Sequence, residues 1–386
     1  MLLLHPTVKA TQRCALRASF PCTAYPRAAS RLVLAVKGYP SIDCKSTSTF
    51  TAKSAARASW CVSRTQPPEH HQRRLVCAAT MGSSTDTFFP GSLVSAEWLH
   101  SHLNEVQVVD ASWFLPTMNR DAKAEHLSKR IPGAVFFDLD AIADVSVPLP
   151  HMLPSNEAFG AALDALGITN TTPVVVYDNF GLLSAARVWW TFKVFGHSQV
   201  AVLDGGRPKW EAGGHELDST APKVDVNAGA EAAKRAQEAP GSVPVKYQAN
   251  LDVSAVRTFE QMLANCGSKA EQVADARSAG RFGGTAPEPR PGIPSGKIKN
   301  SYNVPFDSLL KDGLYKPPEE LTSLFAASGL DLSGSKPIIA SCGTGVTACV
   351  LVLGLDQIGV KDVSVYDGAW TEWAGAKHSE TELWRE

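Results

Sequence analysis

The sequence predicts an α/β fold made of two tandem copies of one domain, each a mainly parallel sheet flanked by helices. Two observations carry this. From about residue 93, short β-branched runs alternate with helical patterns, the rhythm of strand–helix units. Three strand ends then recur. The first set is Val108-Val109-Asp110, Val174-Val175-Val176-Tyr177-Asp178 and Val202-Leu203-Asp204-Gly205. The second is Val273-Ala274-Asp275, Ile338-Ile339-Ala340-Ser341-Cys342 and Val365-Tyr366-Asp367-Gly368. Their spacings are 68 and 26 residues in the first set and 67 and 25 in the second, and a tryptophan, Trp210 or Trp373, follows each third landmark.

Taken in order, residues 1–80 read as a transit peptide outside the fold. They hold twelve Lys/Arg but only Asp43 and Glu69 as acids, and they are rich in Ser, Thr and Ala. The alternative is a basic tail that binds an acidic partner. The other 306 residues carry 25 Lys/Arg against 36 Asp/Glu, so the overall charge of −1 conceals an acidic body. Residues 91–215 form the first copy. Residues 216–249, rich in Ala, Pro, Lys and Glu, read as a linker. Residues 250–386 form the second copy. No run of 18 apolar residues exists, so no membrane helix is expected, and nothing in the pattern points to nucleic acid.

Five of the eight cysteines, at positions 14, 22, 44, 61 and 77, fall in the basic segment, leaving Cys266, Cys342 and Cys349. Three scattered thiols make neither a disulfide framework nor a metal site. Cys342 is the exception by context. An apolar strand leads into it, Gly343-Thr344-Gly345-Val346-Thr347 curls after it, and an apolar helix follows. Ligands of parallel α/β sheets bind beyond the carboxyl ends of strands. Gly343 and Gly345 are expected to supply backbone angles closed to other residues. A loop of that kind aims N–H groups at one point and favours an anion there, as does the helix dipole behind it. Cys349, inside the helix, reads as core, and Cys266 has no functional context. The first copy carries Asp178 at the matching position, so a single active site is expected, built by the second copy and walled by the first.

Two other chemistries meet the same residues. Gly343-Thr-Gly345-Val-Thr-Ala348 fits the dinucleotide pattern G-x-G-x-x-A, but that pattern opens a domain and only 43 residues follow Gly343. A cysteine phosphatase needs arginine six residues after its nucleophile, where this chain has Ala348.

The stretch Cys342-Gly-Thr-Gly-Val-Thr347-Ala-Cys349 resembles the active-site loop of tandem rhodanese-domain sulfurtransferases, most of all mercaptopyruvate sulfurtransferases of plants and algae. The likeness extends to Val109-Asp110-Ala111-Ser112-Trp113, His151-Met152-Leu153-Pro154, Ala186-Arg187-Val188-Trp189-Trp190 and Gly280-Arg281-Phe282 with Pro287-Glu288-Pro289-Arg290. The resemblance implies a transferase that carries sulfur as a persulfide on Cys342, within the loop 342–347. It implies that Arg281 and Arg290 hold the carboxylate and keto oxygen of the donor, which suits the fork of the guanidinium. It also implies a relay near the thiol from Asp140, His151 and Thr344, with domain-interface bonding an equal alternative for Asp140 and His151. Arg187 reads as an inter-domain ion pair rather than a substrate contact.

Rhodaneses that prefer thiosulfate carry basic side chains just after the cysteine, whereas Gly343 and Thr344 are neutral. A mono-anionic keto acid therefore fits better than a dianion, and 3-mercaptopyruvate is the expected donor, with pyruvate released. A thiol, thioredoxin or cyanide would accept the sulfur, without metal or organic cofactor. Thiosulfate as main donor and a non-catalytic sulfur-binding module are the alternatives. An organellar location, mitochondrion or chloroplast, follows from the presequence and the resemblance. Two turns depart from the family's usual His-Ile-Pro-Gly: Arg130-Ile131-Pro132-Gly133 and Lys297-Ile298-Lys299-Asn300. The second puts local geometry in doubt.

Overall fold

The computed structural model describes residues 88–375, and the segment read as a transit peptide lies outside them. The first copy contains β1 (Leu93–Val94), β2 (Gln107–Asp110), β3 (Val135–Phe136), β4 (Val174–Tyr177) and β5 (Val200–Leu203). The second contains β6 (Val256–Arg257), β7 (Gln272–Asp275), β8 (Ser301–Asn303), the hairpin strands β9 (Leu310–Lys311) and β10 (Leu314–Tyr315), β11 (Ile338–Ser341) and β12 (Val363–Tyr366). The sheets run β1-β5-β4-β2-β3 and β6-β12-β11-β7-β8, the same order twice, and every pairing within them is parallel.

β4 and β11, each flanked on both sides, are buried at every residue, as parallel strands covered on two faces must be. The helices that follow them, Ala185–Val194 and Ala348–Gln357, are apolar nearly all round because they pack against each other between the copies. One apolar cluster consequently runs through both, from Val109 and Val176 to Val350 and Leu353. The hairpin turn at Asp312-Gly313 carries β10 towards the first copy, where the N–H of Tyr315 donates to Asp204 Oδ1 at 3.1 Å.

The stretch read as a linker is more than a connector. Within it the helix Ala228–Glu238 packs on Asn156–Ala165 through Gly229, Ala232, Ala233 and Ala236. Those four recur at helical spacing, but they are so small that the face carries little apolar signal. The doubtful turn also closes normally. Ala134 N–H donates to Ile131 at 3.1 Å with Gly133 left-handed, and Ser301 N–H donates to Ile298 at 3.1 Å with Asn300 left-handed. Asparagine is among the few side chains that tolerate that conformation, so the altered motif keeps its geometry. Arg130, where the family has His, is buried and bonds Asp218 and the Thr220 carbonyl, both at 2.8 Å.

Candidate active site

Cys342 directly follows β11 and is 1% exposed. The carbonyls after it are tied outward. Trp370 N–H donates to Cys342 O, and the N–H and hydroxyl of Thr371 both donate to Gly343 O. The thiol of Cys349 and Nη1 of Arg187 donate to Gly345 O at 3.4 and 3.3 Å. The N–H groups of Gly343 to Thr347 donate to no carbonyl or side chain among the described residues. Only one of the two glycines is there for its backbone angle. Gly345 has φ +78°, but Gly343 does not adopt a positive φ; a Cβ on it would lie 2.8 Å from Arg281 Nη2. At 343 no backbone angle calls for glycine; its small size leaves room for the tip of Arg281.

The first copy displays what such a loop holds. Asp178 follows β4 as Cys342 follows β11, and it is fully buried. Its Oδ1 accepts the N–H groups of Phe180, Gly181 and Leu182 at 3.0, 2.7 and 3.1 Å. Its Oδ2 accepts those of Leu183, Ser184 and Ala185 at 2.7, 2.9 and 2.9 Å. Six consecutive N–H groups thus converge on one carboxylate at the start of a helix, an anion cradle filled by its own side chain.

Beside Cys342 lies a cavity of about 160 Å³. The first copy walls it with Trp113, Met118 and Phe180; the second contributes Arg281, Arg290 and Thr344. Arg281 donates to Glu288 Oε2 through Nη2 at 2.5 Å and Nε at 3.1 Å. Oε1 of Glu288 accepts from Arg277 at 2.8 Å, and Arg277, buried, also grips both oxygens of Asp275 and stacks on Trp370. Arg290 makes no hydrogen bond or ion pair among the described residues; burial holds its guanidinium below the usual range, while the charges of Asp140 and Cys342 oppose that. The structure therefore brings Cys342, Thr344, Arg281 and Arg290 to one cavity.

Asp140 and His151 stand one layer behind. His151 Nε2 meets Asp140 Oδ1 at 2.9 Å, and Trp113 Nε1 donates to Asp140 Oδ2 at 2.9 Å. Partial desolvation opposes ionisation of Asp140, but His151, Trp113 and the charge of Arg290 outweigh it and hold the carboxyl below its usual range. Neither residue lines the cavity; Trp113 lies between, touching both. His151 has a left-handed backbone, φ +63°, and its carbonyl accepts from Arg187 Nη2 at 2.6 Å. Arg187 also pairs with Asp367 at 2.7 Å, and Asp367 accepts Leu153 N–H at 2.9 Å. Arg187, expected to pair between domains, thus grips the loop and third strand end of the other copy. Cys349 is fully buried, which raises its thiol pKa, and burial lifts that of Cys266 to about 11.

The family model for the rhodanese-like domain matches this chain twice, over residues 95–213 and 257–376. The chain belongs to the rhodanese family. This rhodanese is 46% identical over 298 residues to the mitochondrial thiosulfate/3-mercaptopyruvate sulfurtransferase 1 of Arabidopsis thaliana, covering 76% of the chain and 78% of that protein. It is 44% identical over 291 residues to the 3-mercaptopyruvate sulfurtransferase of Mus musculus, covering 73% and 91%. Among solved structures it matches the 3-mercaptopyruvate sulfotransferase SseA of Escherichia coli at TM-score 0.61 and 35% identity, over 72% of this chain and 99% of that one.

Sequence reasoning on this rhodanese passed over Glu288 and Arg277. The available signal was an acid between Pro287 and Pro289, close to two arginines. A carboxylate fixed in a stiff turn beside cations reads as an ion-pair anchor.

Proposed function

We propose that this rhodanese transfers sulfur from 3-mercaptopyruvate through a persulfide on Cys342. The observation that carries the proposal is the cavity that brings Cys342 together with Arg281 and Arg290, at the end of the strand whose counterpart in the first copy ends in the anion cradle of Asp178. The thiolate of Cys342 attacks the donor sulfur. The sulfur–carbon bond breaks and its electron pair moves onto the departing carbon as the enolate of pyruvate, which takes a proton there. Arg290 and the uncommitted side of Arg281 bind the carboxylate and keto oxygen, where enolate charge develops. The outer persulfide sulfur is then taken by an acceptor thiolate or cyanide, returning Cys342 as thiolate. Splitting one transfer into two displacements is covalent catalysis. Thr344 lies on the cavity wall; Asp140 and His151 act through Trp113 and Arg290 on the shape and charge of the mouth.

The second copy, 250–386, is the catalytic domain and the first, 91–215, its non-catalytic partner, since only the second has the thiol. Residues 1–80 are a transit peptide, and the protein works in an organelle, mitochondrion or chloroplast. The basic composition and the mitochondrial Arabidopsis relative support this. Reduced thioredoxin is a fitting acceptor because its second thiol can release the sulfur.

The test is pyruvate release from 3-mercaptopyruvate by the parent and by Cys342→Ser, with intact mass after donor treatment. The parent should release pyruvate and gain one sulfur on Cys342; the variant should fold and do neither. Turnover by the variant would remove Cys342 from its role. Higher kcat/KM for thiosulfate in the parent would make this a thiosulfate enzyme instead. N-terminal sequencing of protein from purified organelles tests the presequence.

A further inference from the structure

Arg277 does not need Glu288 to have a carboxylate partner. The Arg277 guanidinium already has the whole carboxylate of Asp275 and the carbonyl of Gly296. Glu288, whose side chain is 4% exposed, still spends one oxygen on Arg277 and turns the other to Arg281. Asp275–Arg277–Glu288–Arg281 thus forms an unbroken ionic chain from β7 to the cavity, and its links loosen outward. The side chains of Arg277 and Asp275 are 0% and 2% exposed, whereas that of Arg281 is 24% exposed. The last link sets the direction of a flexible side chain. With Nε and Nη2 on Glu288, Nη2 also lies against the space over Gly343, leaving Nη1 without a partner among the described residues.

We propose that Glu288 is a positioning residue for sulfur transfer: anchored by Arg277, it holds the Arg281 guanidinium beside the Cys342 loop, with one side turned to the donor. The proposal rests on the reading of this cavity as the donor site. Its physical content is preorganisation. An arginine already fixed binds a carboxylate without first losing its rotamer freedom. Removing the negative charge of Glu288 takes from Arg281 its one anionic partner among the described residues and leaves at most a neutral hydrogen bond.

Glu288→Gln is the variant to make, in the parent and in an Arg281→Met background, with both half-reactions measured. Donor kcat/KM for 3-mercaptopyruvate should fall about tenfold or more, the scale of one charged hydrogen bond, mainly through KM. Cyanide capture from enzyme already carrying the persulfide should stay within about twofold, because that step does not use the donor carboxylate. In the Arg281→Met background, Glu288→Gln should change nothing further. The proposal is overturned if the donor step is unaltered, if both half-reactions fall together, or if Glu288→Gln costs the same with and without Arg281. Should the glutamine variant not fold, Glu288→Asp keeps the charge but falls one methylene short, and a smaller loss confined to the donor step is expected; a loss shared by both steps counts against the proposal. Parent enzyme that releases no pyruvate defeats the donor-site reading itself; parent that releases it beside an indifferent Glu288→Gln defeats only the positioning role.

Discussion

Asp178→Asn removes one charge and almost no volume from the filled cradle of the first copy. Whichever way the amide lies, its NH2 faces three N–H donors that had a carboxylate oxygen. On one side these are Leu183, Ser184 and Ala185, on the other Phe180, Gly181 and Leu182, all within 3.1 Å. Leaving a buried donor unsatisfied costs about 1–3 kcal/mol. Three would give about 3–9 kcal/mol, and loop relaxation places the outcome towards the lower end, about 4 kcal/mol. Loss of a negative charge at the start of the helix Ala185–Val194 adds to this, about 0.5 kcal/mol. Urea unfolding followed by tryptophan fluorescence measures it, since Trp189, Trp190 and Trp210 are buried in this copy. A fall in the unfolding free energy of about 3 kcal/mol or more is expected. A variant within about 1 kcal/mol of the parent would refute the reasoning, because the cradle would then not depend on an anion. The same inference applied to Cys342 would lose its support.

The remaining predictions can be checked with the same protein. Cys349→Ser should keep most activity, because a hydroxyl still donates to the Gly345 carbonyl; loss of the Cys342 persulfide in that variant, read by intact mass, would contradict this. The double change Gly343→Arg with Thr344→Lys should shift the kcat/KM ratio towards thiosulfate by about tenfold or more, one charged contact. The new side chain must displace Arg281, whose Nη2 would be 2.8 Å from its Cβ, so mercaptopyruvate should lose as thiosulfate gains; an unchanged ratio would contradict it. Asp204 has its pKa raised to about 6 by burial, against the pull of the Tyr315 and Gly205 N–H groups and Lys209. The folded state then binds more protons than the unfolded one between about pH 4 and 6, so stability falls as pH rises through that window and stays lower above it. Asp204→Asn should flatten that slope in urea midpoints; the same slope in both proteins would contradict the assignment.

What could be read from the sequence were features written in side-chain chemistry. Val174–Tyr177 is a continuous apolar run and Ile338–Ser341 is apolar up to its last residue, and both are fully buried parallel strands. The matched spacing of Asp110, Asp178 and Asp204 with Asp275, Cys342 and Asp367 gave the duplication. Features written in backbone or in small side chains were harder to read. The Ala228–Glu238 helix packs through glycine and alanine, whose burial yields little apolar contrast against a charged remainder. What glycine at 343 leaves room for is the tip of Arg281, 62 residues away in the chain, and no local rule contains that. Asn300 looked like a broken motif only because the family usually has glycine there; the physical requirement is a left-handed angle, which asparagine meets. The positions of Arg281 and Arg290 came from the resemblance, while the ion chain through Glu288 needed coordinates.

The two copies keep one fold but have divided its use. In the first, the cradle at the strand end is closed permanently by Asp178, so its N–H groups are consumed and the loop is rigid. A loop so fixed can serve as a wall, and Phe180, inside it, lines the cavity beside Cys342. In the second, the N–H groups of Gly343 to Thr347 have no partner among the described residues, so that loop lacks the internal bonds that stiffen the first. Its stiffness comes from outside: Arg187 on Gly345 O and Asp367, Thr371 on Gly343 O, Trp370 on Cys342 O. Arg187 belongs to the first copy and is buried between the two; that burial would lower its pKa, but Asp367 and Cys349 together outweigh it and raise the pKa above the ordinary value. The first copy thus supplies the Cys342 loop with a support that the loop lacks within itself.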